Sequence, residues 1–215
     1  LTIAIQNIEI KNVDLILTNQ RAIFWKAQGA LILSDIHIGK TAHFRKHGIA
    51  VPDDILHNDL NRLKQLIQHF NAKKIIVVGD LFHAERNTDV EIFKIWLRQF
   101  LDLEWILVQG NHDRQSGHLM EELNIKVTSS LTLDMFTFIH DNLGQNSVGF
   151  IISGHTHPGV LLKGKGRQRL KLPCYQVTPW ELVLPAFSRF TGLNTKALPK
   201  GAVCYAFTDT SIFKF

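Results

Sequence analysis

Five polar motifs in this chain each stand at the end of an apolar run. Asp35-Ile36-His37 follows Leu31–Ser34, and Gly79-Asp80 follows Ile75–Val78. Gly110-Asn111-His112-Asp113 follows Trp105–Gln109, His140 follows Phe136–Ile139, and Gly154-His155-Thr156-His157 follows Phe150–Ser153. Carboxylate, imidazole and amide oxygen together suit borderline-to-hard divalent ions such as Mn²⁺, Fe²⁺ or Zn²⁺. In extended chain, the i, i+2 spacing of Asp35 with His37 and of His155 with His157 turns both members to one face. Glycine before Asp80, Asn111 and His155 permits tight turns and a close approach of the backbone to a metal or a phosphate. Each motif alone is a common accident, since Gly-Asp after a strand is often only a turn. All five in order, each behind its own apolar run, predict one metal site built from Asp35, His37, Asp80, Asn111, His140, His155 and His157.

Those tips meet only if the runs are neighbouring strands, because ligands of open α/β sheets bind beyond the carboxyl ends of the strands. The intervening segments fit that arrangement. Asp53–Phe70 carries Ile55, Leu56, Leu60, Leu63, Leu66, Ile67 and Phe70 at spacings of three and four, which predicts a helix starting at Pro52-Asp53. A second helix is expected over Thr88–Leu101 and a short third over Ser116–Leu123, with Ser116 as its cap. Beyond it the chain is strand-rich, with apolar runs at 131–133, 136–139, 150–152, 160–162, 170–172, 182–184, 203–207 and 212–215. Alternating β and α followed by mostly β predicts an α/β fold with a mixed sheet or two packed sheets.

With 215 residues, 45% hydrophobic and 20% charged, the chain is long enough for one well-buried core, so a single domain over 1–215 is expected. No apolar run reaches the roughly 18 residues of a membrane helix. Leu1–Asp14 lacks the pattern of a signal peptide, so the expected setting is the cytoplasm, away from any membrane. Cys174 and Cys204 leave a disulfide open, but their apolar, strand-like surroundings predict buried free thiols. The net charge of +5 mildly favours a polyanionic partner. Lys163, Lys165, Arg167, Arg169 and Lys171 flank Gly164 and Gly166 in what reads as a hairpin. Its cations either track a phosphate backbone or simply guard a sheet edge. Arg45-Lys46-His47 either binds phosphate or is an exposed loop. His83 either reaches the substrate or a ligand's hydrogen bond, or is a solvated histidine at a helix entry, and it stays outside the ligand set.

The five motifs, from Asp35 to His157, resemble the blocks D-x-H, G-D, G-N-H-D/E, H and G-H-x-H of the calcineurin-like metallophosphoesterase superfamily. One departure is Ile139, where many members have glycine before the histidine; His118 is the alternative ligand, but it follows no strand. Ser34–Pro52, Gly79–His83 and Leu184–Gly192 more narrowly resemble the bacterial ligase-associated DNA damage response endonucleases, the PdeM group. The resemblance implies a four-layer α/β/β/α sandwich of two mixed sheets flanked by helices. It implies two divalent metal ions, Mn²⁺ first and Fe²⁺, Zn²⁺ or Ni²⁺ as alternatives. Asp35, His37, Asp80 and His157 would hold one ion, and Asp80, Asn111, His140 and His155 the other, with Asp80 bridging. His112 would face the leaving group, with Asp113 orienting its imidazole. Such a metal pair, about 3.5–4 Å apart, clamps the attacking and leaving oxygens of an in-line displacement and acidifies a water into the attacking hydroxide.

The expected function is therefore hydrolysis of phosphodiester bonds in DNA or RNA. Arg45, Lys163, Lys165 and Arg167 are the expected substrate contacts, and DNA-repair proteins the partners that the PdeM resemblance suggests. Two alternatives remain: a phosphomonoesterase acting on a small molecule or phosphoprotein, and a non-catalytic nucleic-acid-binding module, against which the intact ligand set argues. A lipid pyrophosphatase of the same superfamily would need a basic amphipathic helix, which the sequence lacks.

Overall fold

A computed structural model of the chain describes residues 2–52, 54–83, 86–142, 149–196 and 198–215. The first of two sheets comprises β1 (Ile5–Ile10), β2 (Val13–Thr18), β3 (Ile23–Trp25), β4 (Ala30–Leu33), β5 (Lys74–Val78), β6 (Glu104–Val108) and β7 (Lys126–Thr128), in that spatial order. The pairs from β1 to β4 are antiparallel and those from β4 to β7 parallel. The parallel crossovers carry helices α1 (Lys40–Lys46), α2 (Asp54–Phe70), α3 (Thr88–Leu97) and α4 (Gly117–Glu122). The second sheet comprises β8 (Leu131–Leu133), β9 (Phe136–Phe138), β10 (Phe150–Ser153), β11 (Gly159–Lys163), β12 (Arg169–Val177), β13 (Glu181–Val183), β14 (Val203–Phe207) and β15 (Ile212–Lys214). Its order is β15-β14-β12-β13-β10-β9-β8, with β11 paired to β12, and it too is mixed.

The unbroken apolar runs follow from burial on both faces of the first sheet. Leu31, Leu33, Ile75, Val77, Trp105 and Leu107 pack against the apolar sides of the helices, including Leu60 and Leu63 of α2 and Phe93 of α3. The alternate residues Ala30, Ile32, Ile76, Val78 and Val108 meet Phe136, Phe138, Phe150 and Ile152 of the second sheet. The result is the expected pair of mixed sheets flanked by helices. At one edge, the carboxyl ends of the parallel strands β4, β5 and β6 adjoin those of β9 and β10. The Phe187 amide donates to the Ser34 carbonyl there (2.8 Å), stitching the sheets together.

Several local details differ from the sequence-based expectation. The first three strands were not foreseen, and Arg45 and Lys46 lie on α1 rather than on a loop. Asp53, the expected helix start, lies outside the described residues. The second helix stops at Leu97, and Leu101 beyond it is 86% exposed. Ser116 occupies the cap position of α4, but its side chain makes no capping bond. Asn87 does cap α3, accepting from the amides of Asp89 (3.1 Å) and Val90 (3.3 Å). Cys174 and Cys204 are buried free thiols. No described helix is long and apolar enough to cross a membrane.

Candidate metal centre

Beyond Leu33 the chain leaves β4 but stays tied to its neighbour. The Asp35 amide donates to the Gly79 carbonyl and the His37 amide to that of Asp80, both at 3.0 Å. Asp35 (φ 54°), His37 (53°), Asp80 (52°), His155 (64°) and His157 (48°) all adopt left-handed backbone. Each such non-glycine residue costs about 1–2 kcal/mol. Strain of this kind, grouped at one sheet edge and held by surrounding hydrogen bonds, is characteristic of functional sites.

Two glycines make room for these side chains. A Cβ on Gly79 would lie 2.0 Å from His140 Nδ1, and one on Gly110 would lie 2.3 Å from Asp80 Oδ1. The glycines therefore serve close approach as well as the turn geometry of Gly79 (φ 82°).

Two groups of donors result, Asp35 with His37 and His157, and Asp80 with His140 and His155; within each group the ligand atoms lie within 4.8 Å of one another. His140 Nε2, 3.3 Å from Asp80 Oδ2 and 4.0 Å from Asp35 Oδ1, stands at their boundary. His157 Nε2 comes to 3.0 Å from Asp35 Oδ1, yet that oxygen has no hydrogen-bond partner. Both ring nitrogens of His37 and Nε2 of His140 are likewise buried without partners. A buried polar atom left unsatisfied costs about 1–3 kcal/mol, and divalent cations would satisfy this donor set. His140 Nδ1 donates to the Val78 carbonyl (2.8 Å), so in the neutral ring the lone pair is on Nε2, facing the carboxylates. Asn111 is exposed and precedes His112, whose amide donates to Asp80 Oδ1 (3.0 Å). His118 is exposed on α4 and belongs to neither group.

The charges fit cation binding. Burial opposes ionisation of Asp35, but His157, His140 and His37 hold its carboxyl below the usual range. Asp80 is likewise lowered against its burial, chiefly by His140 and by the His112 amide. Burial lowers His37 to about 3 in spite of Asp35, leaving its ring neutral. His140 is the opposite case: burial would lower it, but Asp80 and Asp35 raise it to about 9.

One expected role is corrected. Asp113 does not orient His112. Its Oδ2 accepts from the amides of Asp80 (2.8 Å) and Gly110 (2.9 Å), and its Oδ1 from that of Phe82 (2.9 Å). It is a fully buried clamp that joins the tips of β5 and β6, and burial raises its pKa to about 6 despite those three donors. Arg45 has a structural contact: Asp89, which also binds Thr41 Oγ1 (2.6 Å) and the Ala42 amide (2.8 Å), takes its guanidinium at 3.2 Å. The arginine fixes α1 to α3.

Lys163, Lys165 and Arg167 lie on the exposed hairpin of β11 and β12. Lys163 stands opposite Arg169, and Leu161 opposite Lys171. The strand period of two therefore puts Lys163, Arg169 and Lys171 on one face. None of the hairpin's five cations has an ion-pair partner among the described residues.

Two further residues border the centre. Lys40 is lowered by burial while the charges of Asp35 and Asp80 raise it, and its ammonium sits 5.8 Å from the Phe190 ring centre. His83 is half-buried, with its ring 5.5 Å from that of His37 and 4.7 Å from that of His112. Burial, then the charges of His112, Lys40 and His43, lower it to about 4. In the sequence, the only signal of Lys40 is its place three residues after His37.

Residues 30–145 match the family described as Calcineurin-like phosphoesterase. The crystal structure of the nuclease MPE from Pseudomonas putida is similar with a TM-score of 0.82 and 29% identity, over 94% of this chain and 96% of that one. The phosphoesterase Yfce from E. coli is a remoter likeness, with a TM-score of 0.46 and 16% identity over 86% of this chain and 97% of that one, too distant to bear on function. No curated protein sequence matches.

Proposed function

This chain belongs to the calcineurin-like phosphoesterase family, and from that premise we propose that it hydrolyses phosphodiester bonds of nucleic acid with two divalent ions. It is a metal-dependent phosphoesterase; the nucleic-acid substrate and the assignment of residues are our reading. The observation that carries it is the pair of donor groups with buried, unpartnered atoms at the strand tips. The likeness to a nuclease over 94% of the chain supports the choice of substrate, as does the basic face of the hairpin. We read residues 1–215 as one such domain and its buried thiols as suited to the reducing cytoplasm.

Asp35, His37, Asp80 and His157 would hold one ion, and Asp80, Asn111, His140 and His155 the other; Mn²⁺ suits this mixed oxygen and nitrogen set. Bound there, the ions would supply an acidified water and neutralise charge developing on the phosphoryl oxygens. The chain's own groups do the rest. Asp113 fixes the Asp80 turn through three amides, and Asp80 in turn holds the His112 amide. His112, exposed at the rim, is placed to donate a proton to the departing oxygen. Lys40 is placed to pair with a phosphate oxygen.

The test compares Mn²⁺-dependent hydrolysis of an aryl phosphodiester, an aryl phosphomonoester, single-stranded DNA and duplex DNA. The expected result is preference for the diester, with salt-sensitive binding of the polymer. Preference for the monoester without polymer binding would defeat the nucleic-acid reading.

A further inference from the structure

A cavity of about 340 Å³ opens beside the metal centre. One wall is a face of α1, on which Ala42, His43, Lys46 and His47 recur at the spacing of one helical turn. Arg45 is drawn by Asp89 out of that face, so the same contact that anchors α1 sets its rotation and turns Lys46 and His47 toward the cavity. The other wall comprises His83 and Arg86, beyond β5, and Gln115, from the turn after β6.

The lining is cationic and rich in nitrogen donors. No acidic side chain lines the cavity among the described residues. Arg86 is held by Glu91 and Glu122, but Lys46 has no ion-pair partner among the described residues. His83 Nδ1 is buried without a hydrogen-bond partner. The His83 ring is the shared wall: it stands 5.5 Å from His37 and 4.7 Å from His112 on one side and 5.7 Å from His43 on the other. The cavity thus begins where the centre ends, on the side of His112. A compact, strongly solvated ammonium flanked by imidazoles, with no carboxylate among the described lining residues, suits a phosphate group. The tilted His43–His47 pair, 4.4 Å apart, offers no flat platform for a base.

We propose that this cavity seats a second phosphate of the substrate, one nucleotide from the scissile bond on the leaving-group side, so that the enzyme selects phosphorylated strands over isolated diesters. The inference rests on the diesterase reading above. It makes α1 a specificity element, with Arg45 as a positioning residue and Lys46, His47 and His83 as contacts.

The Mn²⁺-loaded enzyme would be assayed on the dinucleotides TpT, pTpT and TpTp, following cleavage of the internal bond by chromatography. The products show which side leaves, and the form whose extra phosphate lies on that side should have a KM about 10-fold below that of TpT, the scale of one charge-assisted contact; the advantage in the other form alone would overturn the placement. In a Lys46→Ala/His47→Ala variant that advantage should shrink to about 2-fold or less. Should that variant fail to fold, Lys46→Gln must reduce the advantage instead. Equal KM values for all three dinucleotides in the unaltered enzyme, or an advantage that survives both variants, would overturn the proposal. An aryl diester run alongside separates the causes: if it is cleaved while the dinucleotides show no preference, only the second-phosphate site falls. If neither the aryl diester nor any dinucleotide is cleaved and an aryl monoester is, the diesterase reading falls and takes this site with it.

Discussion

Gly79→Ala would put a methyl group where His140 already stands. The added Cβ would lie 2.0 Å from His140 Nδ1, 2.1 Å from Cγ and 2.6 Å from Cβ. Ordinary contact begins at 3.4 Å, so the ring must retreat by roughly 1.4 Å. That movement breaks the Nδ1 bond to the Val78 carbonyl and carries Nε2 away from Asp80. A misplacement of about 1 Å at a catalytic centre costs on the order of 10²-fold in rate. The left-handed backbone adds about 1–2 kcal/mol for a non-glycine residue, and overpacking about 1–3 kcal/mol more. The variant should therefore lose one of two ions by elemental analysis, fall about 10²-fold or more in diester turnover, and melt roughly 5–15 °C lower. Gly48→Ala is the control. Gly48 has the same handedness (φ 76°) but nothing within 4 Å of an added Cβ, so only the backbone cost applies and both ions should remain. A Gly79→Ala protein with two ions and unchanged turnover would refute the assignment of His140.

Three other perturbations bear on separate parts of the site. His112→Ala should retain its metal content but lose about 10²-fold or more in turnover; near-normal turnover would remove His112 from the mechanism. Asp113→Asn puts an amide donor against main-chain N–H groups, which should cost about 1–3 kcal/mol and lower the melting temperature; an unchanged melting curve with reduced turnover would restore the discarded role of orienting His112. In the metal-free protein His140 is raised from 6.5 to about 9, so its stabilising contribution is fully present below about 6.5 and is lost as pH rises through about 9. Metal binding at neutral pH should therefore release a proton from His140 and none from His37, which is lowered to about 3; an indicator-dye titration that detects no release in the unaltered protein, or undiminished release in His140→Gln, would contradict this.

The parallel strands of the site were legible because burial on both faces makes each an unbroken apolar run, and because each polar tip follows its own run. α2 was legible from its stripe of leucines and isoleucines. The first hairpin was not. Ile5 is 52% exposed while Ile10 is buried, so its isoleucines do not mark one face, and its two-residue turn falls on Lys11 and Asn12 (φ 52° and 63°) rather than on a glycine. The contacts of Arg45 and Asp113 were not legible, for a common reason. Each acts through a partner that local sequence does not reveal, Asp89 across 44 positions and the Asp80 amide across 33. His83 was ambiguous because its meaning lies in the rings of His37, His43 and His112, which only the fold brings around it.

The most direct measurement is an anomalous-scattering map from crystals grown with Mn²⁺. Two peaks are predicted, one within coordination distance of Asp35, His37 and His157 and the other of Asp80, His140 and His155. A single peak away from these side chains, or none at saturating Mn²⁺, would contradict a two-ion centre at the strand tips.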